Sequence, residues 1–370
     1  MHGKRTTPRH GKEGVLLTRA AKSPAITALS GQADGGNPLL VKGRHKKKPI
    51  DGAPPTPFNE EDHDMNIEPH RNKPCDIIAD THGYAAALRA LLEKLGYTER
   101  NGVYFHPECT ALFLGDFIDK GPAIRETLQI VKAMVDAGTA LAVMGNHEYN
   151  AICYHTWDDK TRDYFRPRTD RNVGQHEATM REFEGRGDEL KTYLEWFGTL
   201  PLFLDMGGFR VAHACWDTAA IAALGGSNLY DEGLLAPPDA KKDPRHAALN
   251  ILIKGPEIPT PGGVVYGDGR GDMRVKWWLN ERPLNYRNAA LQVPFELPLD
   301  PLTAEEARKV CGYPADAPPI FFGHYGYLKP AEPFAPNVAC IDLGGHGPLC
   351  AYRWDGEQVL DAGKFVTAAR

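Results

Sequence analysis

Six side chains able to ligate divalent metals or move protons stand just after three short apolar runs. Asp80 and His82 follow Cys75–Ala79, Asp116 and Asp119 follow Ala111–Leu114, and Asn146 and His147 follow Ala140–Met144. Two residues apart at a strand end lie on one side, so Asp80 and His82 can bind one ion. Asp116 can bridge two ions with its two oxygens. Asn146, with the later His213 and His324, can complete the second ion's shell. Nitrogen and oxygen donors without thiolate suit Mn, Fe, Zn or Ni better than copper(I) or a structural zinc. Two such ions about 3.5–4 Å apart clamp an in-line displacement at phosphorus and make hydroxide from a bridging water at neutral pH. Asp80 and Asp116 return only half of the ions' charge, so the natural guest is an anionic ester. His147 can protonate the leaving oxygen. Asp119 can hydrogen-bond His147 and raise its basicity. Lys120 can reach a phosphate oxygen.

The elements that must position these groups are legible in outline. Cys75–Ala79, Ala111–Leu114 and Ala140–Met144 predict buried strands, each running into a polar, glycine-containing loop. Between them, Tyr84, Leu88, Leu91, Leu92 and Leu95 recur at helical spacing before Gly96. Ile124, Leu128, Val131 and Val135 do so before Gly138. Strand–helix–strand–helix–strand predicts an α/β fold with parallel strands, whose ligands bind beyond the strands' carboxyl ends. Further strands are predicted at Phe209–Ala212, just before His213, and at Ile320–Phe322, just before His324. Val338–Leu343 and Leu349–Trp354 predict a closing β-hairpin around Gly344, Gly345 and Gly347. Residues 150–190 and 217–318, rich in polar residues, Pro and Gly, are expected to be insertions, the second a large cap.

Composition excludes a collagen, a disulfide mini-protein and a wholly disordered chain. No apolar run approaches the roughly 20 residues of a bilayer span, and no apolar signal segment opens the chain, so the expected compartment is the cytoplasm. The seven scattered cysteines are expected as free thiols. Residues 1–50 carry 11 Lys and Arg against Glu13 and Asp34, while the remainder is net −14. Residues 1–70 are therefore expected as a disordered basic tail, with residues 71–370 as the domain. The run Lys42, Arg44, Lys46, Lys47 and Lys48 is expected to be solvated rather than bound to nucleic acid. Met65 could serve as an alternative start.

Three ordered motifs carry a resemblance: Asp80-Thr81-His82-Gly83, Gly115-Asp116-Phe117-Ile118-Asp119-Lys120-Gly121-Pro122 and Gly145-Asn146-His147-Glu148. Residues 75–148 resemble the calcineurin-like metallophosphoesterases, especially the branch of serine/threonine phosphoprotein phosphatases and bacterial diadenosine tetraphosphatases. The resemblance covers about 75–215 and 320–355. It implies a two-sheet β-sandwich flanked by helices, two divalent ions with Mn foremost, and a phosphorylated substrate. By it, Asp80, His82 and Asp116 hold the first ion, and Asp116, Asn146, His213 and His324 the second. His147 is the acid, paired with Asp119. The chain departs from that branch at Ala79, which replaces Gly, and at Lys120 and Met144, which replace arginines. Gly326 stands where many relatives have a second histidine, leaving three protein ligands to the first ion.

The expected function is a two-metal phosphoesterase, a phosphomonoesterase or protein phosphatase. The alternative is a diadenosine tetraphosphate hydrolase or phosphodiesterase. An alternative of another class is a non-catalytic metal-binding scaffold. Lys254–Glu257 and Gly267–Asp272 can line the pocket, with Arg270 or Arg274 replacing the missing arginines. Trp216, Trp277 and Trp278 are expected in packing. His155 and His176, among other histidines, show no partner pattern, and His346 is placed at the tip of the expected hairpin.

Overall fold

In the computed structural model, residues 68–71, 73–225, 243–267, 269–327, 330–344 and 347–370 are described. The Lys42–Lys48 run, Met65 and His346 lie outside them. The chain from 39 to 370 forms one unit by its contacts. His70, expected in the tail, is buried and hydrogen-bonded through Nδ1 to Thr110 Oγ1 at 2.9 Å.

The first half alternates as its apolar spacing predicts. In order come β1 (Cys75–Ile78), α1 (Ala85–Lys94), β2 (Thr98–Arg100), β3 (Val103–Phe105), β4 (Thr110–Phe113), α2 (Ile124–Asp136) and β5 (Ala140–Ala142). Then follow α3 (Asn146–His155), β6 (Trp157–Asp158), β7 (Asp163–Tyr164), α4 (Asp170–Glu182) and α5 (Gly187–Phe197). Strands β1, β4 and β5 pair in parallel. Every residue of β1 and β4 is buried, so neither strand alternates with solvent; the one charge, Asp76, is paired with Arg353 at 2.8 Å. Helix α1 buries Leu88, Leu91 and Leu92, and α2 buries Ile124, Leu128 and Val131. The β2–β3 hairpin was not expected from the sequence. The expected 150–190 insertion is largely helical, being made of α3, α4 and α5.

The second half supplies β8 (Phe203–Asp205), β9 (Arg210–Ala212), α6 (Thr218–Leu224), α7 (Pro244–Lys254), β10 (Glu257–Pro259) and β11 (Asp272–Arg274). After α8 (Tyr286–Ala289) and α9 (Ala304–Arg308) come β12 (Ile320–Phe322), β13 (Val338–Cys340), β14 (Leu349–Trp354) and β15 (Phe365–Ala368). One sheet has the order β15-β14-β1-β4-β5 and the other β13-β12-β9-β8. They pack face to face, with Phe321 5.0 Å from Tyr352 and Phe209 4.6 Å from Trp354 between ring centroids. This is the expected α/β sandwich.

The expected closing hairpin does not form. β13 pairs in parallel with β12 in one sheet, whereas β14 pairs antiparallel with β1 in the other. The glycine-rich link passes between sheets because β13 and β14 each complete a different one. The expected cap is only partly a cap. Alternation along β12 points Phe321 inward and Ile320 and Phe322 outward. The outward pair packs in a second core with Trp216, Trp277 and Trp278. Much of 217–318 thus covers the outer face of the second sheet, and the β10–β11 hairpin reaches the cleft described next.

Candidate metal centre and its cleft

The carboxyl ends of β1, β4 and β5 from one sheet, and of β9 and β12 from the other, present their loops together. His82 N donates to Asp116 O at 2.8 Å and Gly323 N to His213 O at 2.8 Å. The loops approach too closely for side chains at two places. A Cβ on Gly145 would stand 2.2 Å from Asp116 Oδ1, and one on Gly323 would stand 2.1 Å from Asp80 Oδ1. His82, Asp116, Asp119 and His324 all have left-handed backbones, with φ of 46°, 54°, 84° and 68°. Such strain in non-glycine residues persists only where surrounding structure enforces it. Glu148 is part of that enforcement. Its buried carboxylate accepts from the backbone N–H of Gly145, Asp116 and Phe117 at 3.0, 2.7 and 2.8 Å.

The donor atoms converge on Asp116, one histidine cluster for each oxygen. Oδ1 lies 3.4 Å from His213 Nε2, and Oδ2 lies 3.6 Å from His82 Nε2 and 3.8 Å from His147 Nε2. Among the described residues, two groups are close enough to hold an ion: His82, Asp116 and His147, and Asp116, His213 and His324. The rings are oriented from behind. His82 Nδ1 donates to Ile118 O at 2.8 Å and His213 Nδ1 to Leu114 O at 2.6 Å, which turns each Nε2 lone pair inward. Asn146 Oδ1 sits 3.2 Å from His213 Nε2 and 2.6 Å from His324 Nδ1. Inward imidazole nitrogens around a shared carboxylate and an amide oxygen are a donor set that fits two divalent ions.

Asp80 belongs to neither group. Its carboxylate, buried against Gly323, accepts from His324 N at 3.0 Å. Lys120 Nζ donates to His82 Nε2 at 2.7 Å, at the edge of the cleft described below. An ion on that lone pair would replace this contact. Burial, reinforced by the Asp342 and Asp116 carboxylates, pushes Asp80 well above the usual carboxylate range. Burial would also raise Asp116, but His213, His147, His82 and His324 outweigh it and hold Asp116 well below that range.

His147 Nδ1 lies 2.7 Å from Asp119 Oδ2. The other oxygen of Asp119 meets His176 Nδ1 at 2.7 Å and Thr179 Oγ1 at 2.6 Å, both from α4. His176 Nε2 in turn lies 3.1 Å from His155 Nε2. Neither histidine was singled out from sequence. The one local signal is the His176–Thr179 spacing, which shares a helix face. Burial, with His176 and Arg168 beside it, pushes His155 down to about 3. An unfolded histidine titrates near 6.5, so the unfolded chain takes up this proton first. Folding stability is therefore expected to fall as pH drops from about 6.5 to about 3, by at most ~1.4 kcal/mol per pH unit from this group. Urea unfolding across that window should show a shallower slope for His155→Phe than for the parent. Equal slopes would refute the assignment.

Beside the centre lies a cleft of about 280 Å³ lined by Lys120, His147, Lys254, Glu257, Arg270 and Arg274. Arg270 Nη1 pairs with Glu257 Oε1 at 2.7 Å, and Lys254 Nζ donates to Asn250 Oδ1 at 2.6 Å. Arg274 Nη1 donates to Tyr325 O at 2.8 Å, and its Nη2 lies 3.3 Å from His324 Nε2. The segments 254–257 and 267–272 thus reach the site from the insertion, through Lys254, Glu257 and Arg270. The ion pair expected as their structural alternative is present too.

Residues 74–234 match the family model for calcineurin-like phosphoesterases. Over that span the chain is similar to calcineurin-like metallophosphoesterases. Over 147 residues it is 35% identical to the asymmetrical bis(5'-nucleosyl)-tetraphosphatase PrpE of Bacillus subtilis, covering 38% of this chain and 56% of that protein. Over 73 residues it is 45% identical to PrpE of Halalkalibacterium halodurans, covering 20% of this chain and 30% of that protein. The chain therefore spans about half, or less, of the length of these relatives. Among solved structures, a protein serine/threonine phosphatase from Saccharomyces cerevisiae aligns with a TM-score of 0.43 at 15% identity, over 84% of this chain and 87% of that one. Among the described residues, no helix is long and apolar enough to cross a membrane.

Proposed function

We propose that this protein is a metal-dependent hydrolase of phosphate esters. The observation that carries the reading is the division of Asp116, one oxygen toward His213 and the other toward His82 and His147, with His147 backed by Asp119. His82, Asp116, Asn146, His213 and His324 would hold two divalent ions, with Asp80 beside them. When bound, such ions neutralise phosphate oxygens and make a water acidic enough to attack phosphorus at neutral pH. The chain's own groups do the rest. Lys120 and Arg274 grip phosphate oxygens, and Arg does so with a two-pronged fork that a lysine lacks. Asp119 holds His147 by Nδ1, leaving Nε2 to give its proton to the leaving oxygen as the P–O bond breaks. The seven cysteines form no disulfide, which fits a reducing compartment such as the cytoplasm.

The cleft favours a polyphosphate over a simple monoester. Lys120, Lys254, Arg270 and Arg274 against Asp116 and Glu257, with two ions offsetting Asp116, would offer more positive charge than one phosphate engages. The PrpE likeness points the same way, so a dinucleoside polyphosphate is the preferred substrate and phosphopeptides the second. The acidic body makes nucleic acid a poor partner. The test is hydrolysis by manganese-reconstituted protein of an aryl phosphate, phosphoserine and phosphotyrosine peptides, diadenosine tetraphosphate and an aryl phosphodiester. Manganese-dependent turnover with diadenosine tetraphosphate fastest is the expected result. Faster phosphopeptide cleavage would reverse the substrate order. No turnover with manganese bound would overturn the enzyme reading in favour of a scaffold.

A further inference from the structure

We propose that His176 is a positioning residue for the leaving-group acid, acting on His147 through Asp119. This rests on the hydrolase reading above.

The geometry leaves Asp119 no freedom. His147 Nδ1 meets one oxygen at 2.7 Å, while His176 Nδ1 and Thr179 Oγ1 meet the other at 2.7 and 2.6 Å. Three donors from two directions fix both the plane and the rotation of the carboxylate. Asp119 also has a left-handed backbone, φ 84°, which must be held from outside. Its carboxyl, which burial alone would raise, is kept well below the usual range by the bonds from His147 and His176. It therefore stays a carboxylate that only accepts.

His176 presents its Nδ1 proton because the Asp119 carboxylate at 2.7 Å only accepts, and His155 stands behind it at the other nitrogen. Buried His155 is neutral and lies Nε2 to Nε2 at 3.1 Å from His176. With the His155 proton on Nε2, His176 accepts there and keeps its own proton on Nδ1, aimed at Asp119. The helix carrying both α4 groups is docked on the same region. Glu182 Oε1 and Oε2 accept from Ile124 N and Arg125 N at 2.8 and 2.9 Å, at the start of α2. That docking offsets the unpaired N–H groups at the start of α2. His147 is thus oriented by a line of contacts reaching into the 150–190 insertion. In the reaction, the His147 Nε2 proton passes to the departing oxygen as the P–O bond breaks. Asp119 stays a carboxylate and His176 keeps its Nδ1 proton.

The test is kcat for manganese-loaded full-length protein on aryl phosphates with leaving groups from acidic to weakly acidic phenols. An acid matters most for the weakly acidic ones. His176→Ala is expected to lower the ratio of kcat on the poorest to kcat on the best leaving group by about tenfold or more. Thr179→Val should lower it less. His176→Asn, whose amide can still donate to Asp119, should recover most of it. Manganese content in the same samples should match the parent, because His176 contacts none of the ion-holding residues. Should His176→Ala fail to fold, Thr179→Val and His176→Asn still decide the matter. A uniform loss across the series, no loss, or a His176→Asn no better than alanine would overturn the positioning role. A parent protein inactive on the whole series would instead overturn the hydrolase reading.

Discussion

Asp116→Asn is expected to abolish turnover, by about 10³-fold or more on an aryl phosphate, and to leave fewer than two manganese ions per chain. The substitution keeps the shape but converts one oxygen to an N–H₂ donor. Asp116 has no oxygen to spare, because Oδ1 faces His213 Nε2 at 3.4 Å and Oδ2 faces His82 Nε2 at 3.6 Å. Whichever way the amide turns, a donor confronts one of those inward lone pairs. The variant also removes a negative charge from between four histidines. The manganese-induced rise in melting temperature should shrink accordingly, since a ligand that binds only the folded state stabilises it by mass action. Metal content by elemental analysis and kcat on the same sample form the check. Two manganese ions with kcat within tenfold of the parent would defeat the shared-ligand account.

The second large effect is His147→Asn. Loss of a positioned general acid costs about 10²–10⁴-fold, and that fall is expected here with manganese content unchanged. His147 Nε2 lies 3.8 Å from Asp116 Oδ2, near enough to belong to the first ion's group. Its Nδ1 is committed to Asp119. Burial would lower His147, but Asp116 and Asp119 outweigh it and raise it above an ordinary histidine. That favours a proton on Nε2 over an open lone pair. Kinetics and metal analysis separate the two roles. Retained metal with lost turnover supports the acid, whereas lost metal would make His147 a ligand.

Much of the candidate centre was legible because its groups sit one to six residues beyond buried strands. A strand that is apolar throughout and then abruptly polar and glycine-rich announces both its end and its edge. Which loops touch was not legible: only the structure shows that a Cβ on Gly145 or Gly323 would strike Asp116 or Asp80. His213 and His324 could be placed from the strands before them, though nothing local tied them to Asn146. The closing hairpin was misread for a reason of range. Val338–Cys340 and Leu349–Trp354 carry the same strand pattern whether they pair with each other or with separate sheets. Only the partners decide, and these lie far off, in β12 for one and in β1 for the other.

The sequence by itself set out the candidate donors, in order, each after its strand, and these carry the proposal of metal-assisted work on phosphate. Local spacing suffices for that, because a strand end and its loop are set by neighbours in the chain. The tertiary structure alone decided the rest. It turned Lys120 onto His82, brought Lys254, Arg270 and Arg274 from the insertion to the cleft, and set His155 and His176 behind Asp119. Those residues are separated by tens of positions from the groups they touch. Their meeting depends on how α4 docks on α2 and how the β10–β11 hairpin folds back. Such contacts follow from packing and from satisfying buried polar groups, which no local pattern of residues encodes.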